Sequence, residues 1–154
     1  MQATYQEGIS IVNGIQLHTS RLYLYPGRPT IVFLHDSLGC IALWRDFPQR
    51  LGAATQCNVF LYDRQGYGRS EPFRSVLRKD DYLEREVDVL MQVLDHAGIA
   101  EPVLFGHSDG GTIALLAAAA NPLGIAGVIT EGAHVFVEDI TLEGIRRAVD
   151  AYHS

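Results

Sequence analysis

Residues 105–111 read FGHSDGG. Ser108 stands between Gly106 and Gly110 at the spacing G-x-S-x-G, directly after the apolar run PVLFG of residues 102–106. That spacing suits a sharp turn from strand to helix with the serine at its tip. Glycine on either side lets the two backbones pass close to each other. On this reading Ser108 is a nucleophile. The N-terminus of the following helix favours developing negative charge, and the backbone N–H of Asp109 is one oxyanion donor. The plainer reading is a serine that caps the helix. A serine nucleophile also needs a histidine base and an acid that orients it, so the rest of the chain is read for those.

Three further apolar runs resemble PVLFG: TIVFLH (30–35), CNVFLYD (57–63) and IAGVITEGA (125–133). Short continuous runs of this kind suit strands buried on both faces. Upstream, ISIVNGIQLHTSRLYLY (9–25) alternates in part around Asn13-Gly14, which predicts a hairpin of strands over 9–12 and 15–25. Between the runs lie helical patterns. WRDFPQRLGAA (44–54) has Pro48 in its first turn. From Asp80 to Ala97, Leu83, Val87, Leu90 and Leu94 fall on one face, and Gly98 follows as a stop. GGTIALLAAAAN (110–121) is halted by Pro122, and a last helix starts near Thr141. Strands and helices alternate, which predicts an α/β fold: a mostly parallel sheet of about six strands with helices on both faces.

Composition narrows the function. The 154 residues suffice for one domain with a core. A net charge of −6 argues against nonspecific nucleic-acid binding. The opening MQATYQEGIS lacks the pattern of a signal peptide, and GGTIALLAAAANPLGIAGVIT is too broken by Asn121, Pro122 and glycines to span a membrane. Cys40 and Cys57 form no disulfide framework, so free thiols in a reducing cytoplasm are expected. The six histidines (18, 35, 96, 107, 134 and 153) show no HxH or HxxxH spacing, and no metal or organic cofactor is expected.

Over nearly its whole length the chain resembles the α/β-hydrolase superfamily. Three motifs carry the resemblance, in order: FLHDSLG (33–39), YDRQGYGRS (62–70) and FGHSDGG (105–111). The resemblance implies acyl transfer to water, with Ser108 attacking and the backbone N–H of Ser37 as the second oxyanion donor. The sequence departs from the family where a glycine usually follows the histidine: here it is Asp36. A carboxylate there opposes an oxyanion unless it is turned away or paired. His35, Trp44 and His107 are substrate-pocket candidates, with loop bracing, core packing and pocket support as their respective structural alternatives. Asp63 and Arg64 are expected to brace the loop beneath the elbow. The glycines of RQGYGRS read as a tight loop, since no third glycine and no helix start make a nucleotide site.

The family's acid follows a seventh strand and its histidine an eighth, whereas this chain stops soon after the sixth. Residues 1–137 are therefore expected to form a partial core lacking the last two strands, and 138–154 the start of a cap helix. Glu131 is either a substitute acid or a pocket carboxylate. His134 is either a substitute base or a pocket wall. The chain alone is expected to be nearly inactive. The apolar edge AGVIT (126–130) is expected to recruit a C-terminal half as a separate chain, or a second copy. The expected reaction is hydrolysis of an ester, amide or activated C–C bond in a small apolar molecule. The alternative is a non-catalytic remnant that acts as a binding or dimerisation module.

Overall fold

Val32, Leu34, Phe60, Tyr62 and Leu104 are buried against one face of a sheet, and Ile31, Phe33, Val59, Leu61 and Phe105 against the other. Successive side chains of a pleated strand point to opposite faces. A run that is apolar at every position therefore needs cover on both sides. The computed structural model, which describes residues 4–75 and 77–154, supplies that cover. The runs form β3 (Thr30–Leu34), β4 (Asn58–Tyr62) and β5 (Val103–His107). Helices α2 (Tyr82–Ala97) and α3 (Asp109–Ala120) cover the first face, through Val87, Leu90, Val93, Leu94, Ile113, Ala114 and Ala117. Helix α1 (Phe47–Thr55) lies on the second, with Leu51 and Trp44 packed there.

The sheet has the six strands predicted, in the order β1-β2-β4-β3-β5-β6. β1 (Gln6–Val12) and β2 (Ile15–Leu22) form the hairpin, turned at Asn13 and Gly14, both with positive φ. β2 runs antiparallel to β4, while β4, β3, β5 and β6 (Gly127–Glu131) are parallel to one another. The active edge of such a sheet is the carboxyl end of its parallel strands.

Several boundaries differ from the sequence reading. The first strand, expected from residue 9, starts at Gln6. The second strand was expected to reach residue 25 but ends at Leu22. Beyond it the buried Asn58 side chain takes over the backbone. Its Oδ1 accepts from the N–H groups of Leu24 (2.8 Å) and Tyr25 (2.9 Å), and its Nδ2 donates to Tyr25 O (2.9 Å). The helix expected over 44–54 is split. Ile41–Trp44 makes a 3₁₀ turn, Arg45 has φ of 53°, and α1 starts only at Phe47. The last helix, α4, spans Asp139–His153, starting two residues before Thr141, and buries none of its residues. Among the described residues β6 pairs only with β5, and Ile129 on it is 46% exposed. No helix among the described residues is long and apolar enough to cross a membrane.

Candidate active site

Ser108 joins β5 to α3 with φ 52° and ψ −119°. A residue with a Cβ is strained there, by on the order of 1–3 kcal/mol. The surroundings hold it in place. The Ser108 N–H donates to Glu131 O (2.8 Å) at the end of β6, and Ser108 O accepts from Thr112 N–H (3.1 Å). The flanking glycines are required by contact. A Cβ on Gly106 would lie 2.2 Å from Gly110 O, and one on Gly110 would lie 2.0 Å from Leu34 O. Ser108 occupies the N-cap position of α3, yet its hydroxyl makes no capping hydrogen bond. Its Oγ lies instead 3.3 Å from His134 Nε2.

The backbone N–H of Asp109 is in the first turn of α3, where no intrahelical acceptor exists. The N–H of Ser37 has no hydrogen-bond partner among the described residues. Asp36 is folded back onto its own loop: its Oδ1 is 1.9 Å from where a Cβ on Gly39 would sit. Gly39 N–H closes that loop onto Asp36 O (3.2 Å).

His35 is buried, and both of its ring nitrogens are used. Nδ1 donates to Asp36 O (2.7 Å), and Nε2 accepts from the Arg64 N–H (3.0 Å). That pattern requires the neutral ring. Burial first, then the Arg64 charge, push its pKa from 6.5 down to about 4. In the unfolded chain His35 takes up a proton as pH falls through about 6.5. The folded chain does so only near 4, so its stability declines with pH across that window, by about 3 kcal/mol in all. Denaturant midpoints measured from pH 7 to 4 are expected to fall more steeply for the parent than for His35→Gln. Parallel profiles would rule this out.

The Arg64 guanidinium, fully buried, donates to His35 O and Asp36 O and thereby ties YDRQGYGRS to the loop that carries Ser37. Its Nε is 4.0 Å from the Glu86 carboxylate, whose pKa is raised by burial against the pull of Arg64 and Arg78. Asp63 organises the same loop from within. Its Oδ1 accepts from Ile41 N–H (2.7 Å), and its Oδ2 accepts from Arg69 N–H (2.9 Å) and faces His18 Nδ1 (3.1 Å). Gly68, at φ 52°, passes so close that a Cβ would lie 2.2 Å from that carboxylate. Gly68 thus wraps a carboxylate, while Gly66, at φ 86°, passes over the ring of Phe73. Asp63→Ala strands these buried donors and is expected to cost about 3–5 kcal/mol, read as a fall of roughly 10 °C in Tm. A fall of one or two degrees would contradict the anchoring role.

The three pocket candidates line one cleft. His35, Asp36, Cys40, Leu43, Trp44 and His107 enclose about 60 Å³. Trp44 also packs edge-on against Phe33 (5.2 Å) and Phe105 (5.8 Å), and its ring is 6.4 Å from that of His107. Glu131 is exposed, and among the described residues its carboxylate makes no hydrogen bond to His134. Thr112, which the sequence reading passed over, contacts the His134 backbone. Its only sequence signal is its place one helical turn beyond Ser108.

The family model described as alpha/beta hydrolase fold matches residues 29–151. The chain belongs to the α/β-hydrolase fold family. Among curated proteins, this α/β-hydrolase chain is 31% identical over 134 residues to a 2-succinyl-6-hydroxy-2,4-cyclohexadiene-1-carboxylate synthase of Escherichia coli O8 (strain IAI1), covering 87% of the chain and 50% of that protein. The chain thus spans about half the length of the curated relatives it matches. Among solved structures it is similar to an alpha/beta hydrolase from Novosphingobium aromaticivorans DSM 12444, with TM-score 0.81 and 26% identity, covering 95% of this chain and 50% of that one. Epoxide hydrolase A from Mycobacterium thermoresistibile matches with TM-score 0.68 and 25% identity, covering 82% and 39%.

Proposed function

We propose that the chain carries the nucleophile half of a serine hydrolase. The observation that carries this reading is the Ser108 hydroxyl, raised on a strained turn and 3.3 Å from the His134 imidazole. In the proposed reaction the Ser108 Oγ–H passes its proton to His134 Nε2 as Oγ bonds to the carbonyl carbon. The carbonyl oxygen takes the electron pair and is held by the N–H groups of Ser37 and Asp109. The tetrahedral intermediate then collapses. The leaving group departs with the proton from His134, and an acyl ester on Ser108 remains. Water, deprotonated by His134, releases the acid and restores the serine. For Nε2 to accept, the proton on the ring must sit on Nδ1, and the acid is the group that would hold it there.

The substrate class proposed is a small, largely apolar molecule with an ester, amide or activated C–C bond, since apolar and aromatic groups share the cleft with His35 and His107. The E. coli relative is named a synthase, which keeps a C–C bond within that class. The exposed β6 edge and the unburied α4 favour a partner segment that pairs with β6 and supplies the acid. Ile129→Lys is then expected to weaken association in sedimentation runs. A parent that stays monomeric at every concentration, with no companion polypeptide, removes that partner.

The decisive experiment is labelling with a fluorophosphonate, whose phosphorus accepts Oγ with loss of fluoride, followed by mass mapping. An adduct on Ser108, absent from Ser108→Ala, is the expected result. A folded parent that takes no label would leave a non-catalytic binding module as the better reading.

A further inference from the structure

Among the described residues, four buried side-chain polar atoms make no hydrogen bond: the Tyr62 and Tyr82 hydroxyls, Arg64 Nε and Glu86 Oε2. All four belong to one cluster. Tyr62 closes β4 and Arg64 follows two residues later, while Tyr82 opens α2 and Glu86 lies one turn on, on the same helix face. Arg64 Nε and Glu86 Oε2 face each other across 4.0 Å, too far for a hydrogen bond. Both hydroxyls lie in the field of this pair. Burial pushes their pKa values up, that of Tyr82 to about 12; Glu86 adds to the rise and Arg64 opposes it. The Tyr82 hydroxyl approaches the guanidinium but falls short of hydrogen-bond geometry. A single unpaired polar group is uncommon in a protein interior, and four in one place point to a shared partner. We propose that they form a built site for one internal water molecule, which links α2 to the loop that carries Ser37.

The chemistry of the four atoms selects the ligand. The Arg64 Nε–H can only donate, the ionised Glu86 carboxylate can only accept, and each hydroxyl can do either. That set complements a molecule that gives two hydrogen bonds and takes two. The charges of Arg64 and Glu86 offset each other, so a bound ion would bring an uncompensated charge into the interior, whereas a neutral molecule adds none. A polar pair held just beyond direct contact is the usual setting of a bridging water, and two to four polar partners are the usual complement of a buried one. The site is closed to solvent, with Arg64 0% and Tyr62 1% exposed. Its position gives it a consequence for the cleft. Arg64 commits its two outer nitrogens to His35 O and Asp36 O. The Asp36 carbonyl and the Ser37 N–H belong to one planar peptide, so the grip on the carbonyl sets the direction of the N–H. Through the water, Glu86 and Tyr82 brace that grip from α2. This consequence rests on the reading of Ser37 as an oxyanion donor; the water site does not.

Two measurements test the site. A crystal structure of the chain at a resolution that shows ordered water is expected to place one water oxygen within about 3.2 Å of at least three of the four atoms. A direct contact between Arg64 Nε and Glu86 Oε2, with no such water, would overturn the proposal. The second measurement is a double-mutant cycle of Tyr62→Phe and Tyr82→Phe, read as the shift in denaturant midpoint. Each change removes one oxygen and keeps its ring, so the fold should survive both. The two hydroxyls do not bond each other, so without a shared partner their shifts should add. With one water between them, the second substitution is expected to shift the midpoint clearly less than the first, in either order. Strictly additive shifts would overturn the proposal as well. Neither readout uses Ser108 or Ser37, so a failure of the hydrolase reading leaves both measurements decisive for the water site.

Discussion

A Ser108→Ala chain is expected to melt with its parent and to lose the parent's ester hydrolysis. The size of the loss reports how complete the site is. In a complete triad the serine, histidine and acid together contribute on the order of 10⁶, and removing the acid alone costs on the order of 10⁴. A serine–histidine pair with no oriented acid is therefore worth on the order of 10². The Glu131 carboxylate makes no hydrogen bond to His134, so the chain by itself is expected to fall by about that smaller factor. With a partner segment that supplies the acid, the fall should approach the larger one. Ser108→Gly separates chemistry from fold in the other direction. Glycine accepts φ 52° without penalty, so this variant is expected to be as inactive as alanine and more stable by about 1 kcal/mol. Steady-state hydrolysis of an activated ester and thermal melts of the three chains check both halves. Undiminished hydrolysis by Ser108→Ala would place the nucleophile elsewhere.

Gly110→Ala is expected to be the most destabilising single substitution in the elbow. The added Cβ would lie 2.0 Å from Leu34 O and 2.7 Å from His35 O. Both obstacles are backbone, on β3 and just beyond it, so no side chain can swing away. Either α3 lifts from the sheet or β3 shifts, and β3 pairs with both β4 and β5. Overpacking in a core commonly costs about 1–3 kcal/mol when side chains yield, so a backbone collision of this depth should exceed about 3 kcal/mol. Gly124→Ala is the control. The nearest atom to its added Cβ is 3.7 Å away, and a change in Tm of a degree or two is the most expected there. A Gly110→Ala chain that melts with the control would mean that the helix is not seated as described.

Much of this was legible in the residues. The apolar runs that form β3, β4 and β5 need two covered faces, and the elbow spacing puts a serine between two glycines that cannot be larger. The missed features depend on contacts between distant segments. No local signal tells that Asn58 will end β2, because its amide meets Leu24 and Tyr25 from another strand. Nor does propensity predict the break at Arg45, which takes a backbone angle that its residue type disfavours. His134 stood open between pocket wall and base for the same reason. Its place depends on a left-handed turn at Gly132 and a clamp from a helix more than twenty residues earlier.

The seating of α3 on bare backbone separates what this architecture can vary from what it cannot. The gap between Gly106 and Gly110 is set by peptide geometry alone, and a mutation there can only enlarge and break it. The walls of the cleft are made by Leu43, Trp44 and His107, whereas the atoms nearest either glycine's missing Cβ are backbone. Change in what the cleft admits can therefore accumulate in one set of positions while the elbow stays unaltered. A library randomised at Leu43 and Trp44 should yield folded chains of altered preference. One randomised at Gly106 and Gly110 should return only the parent.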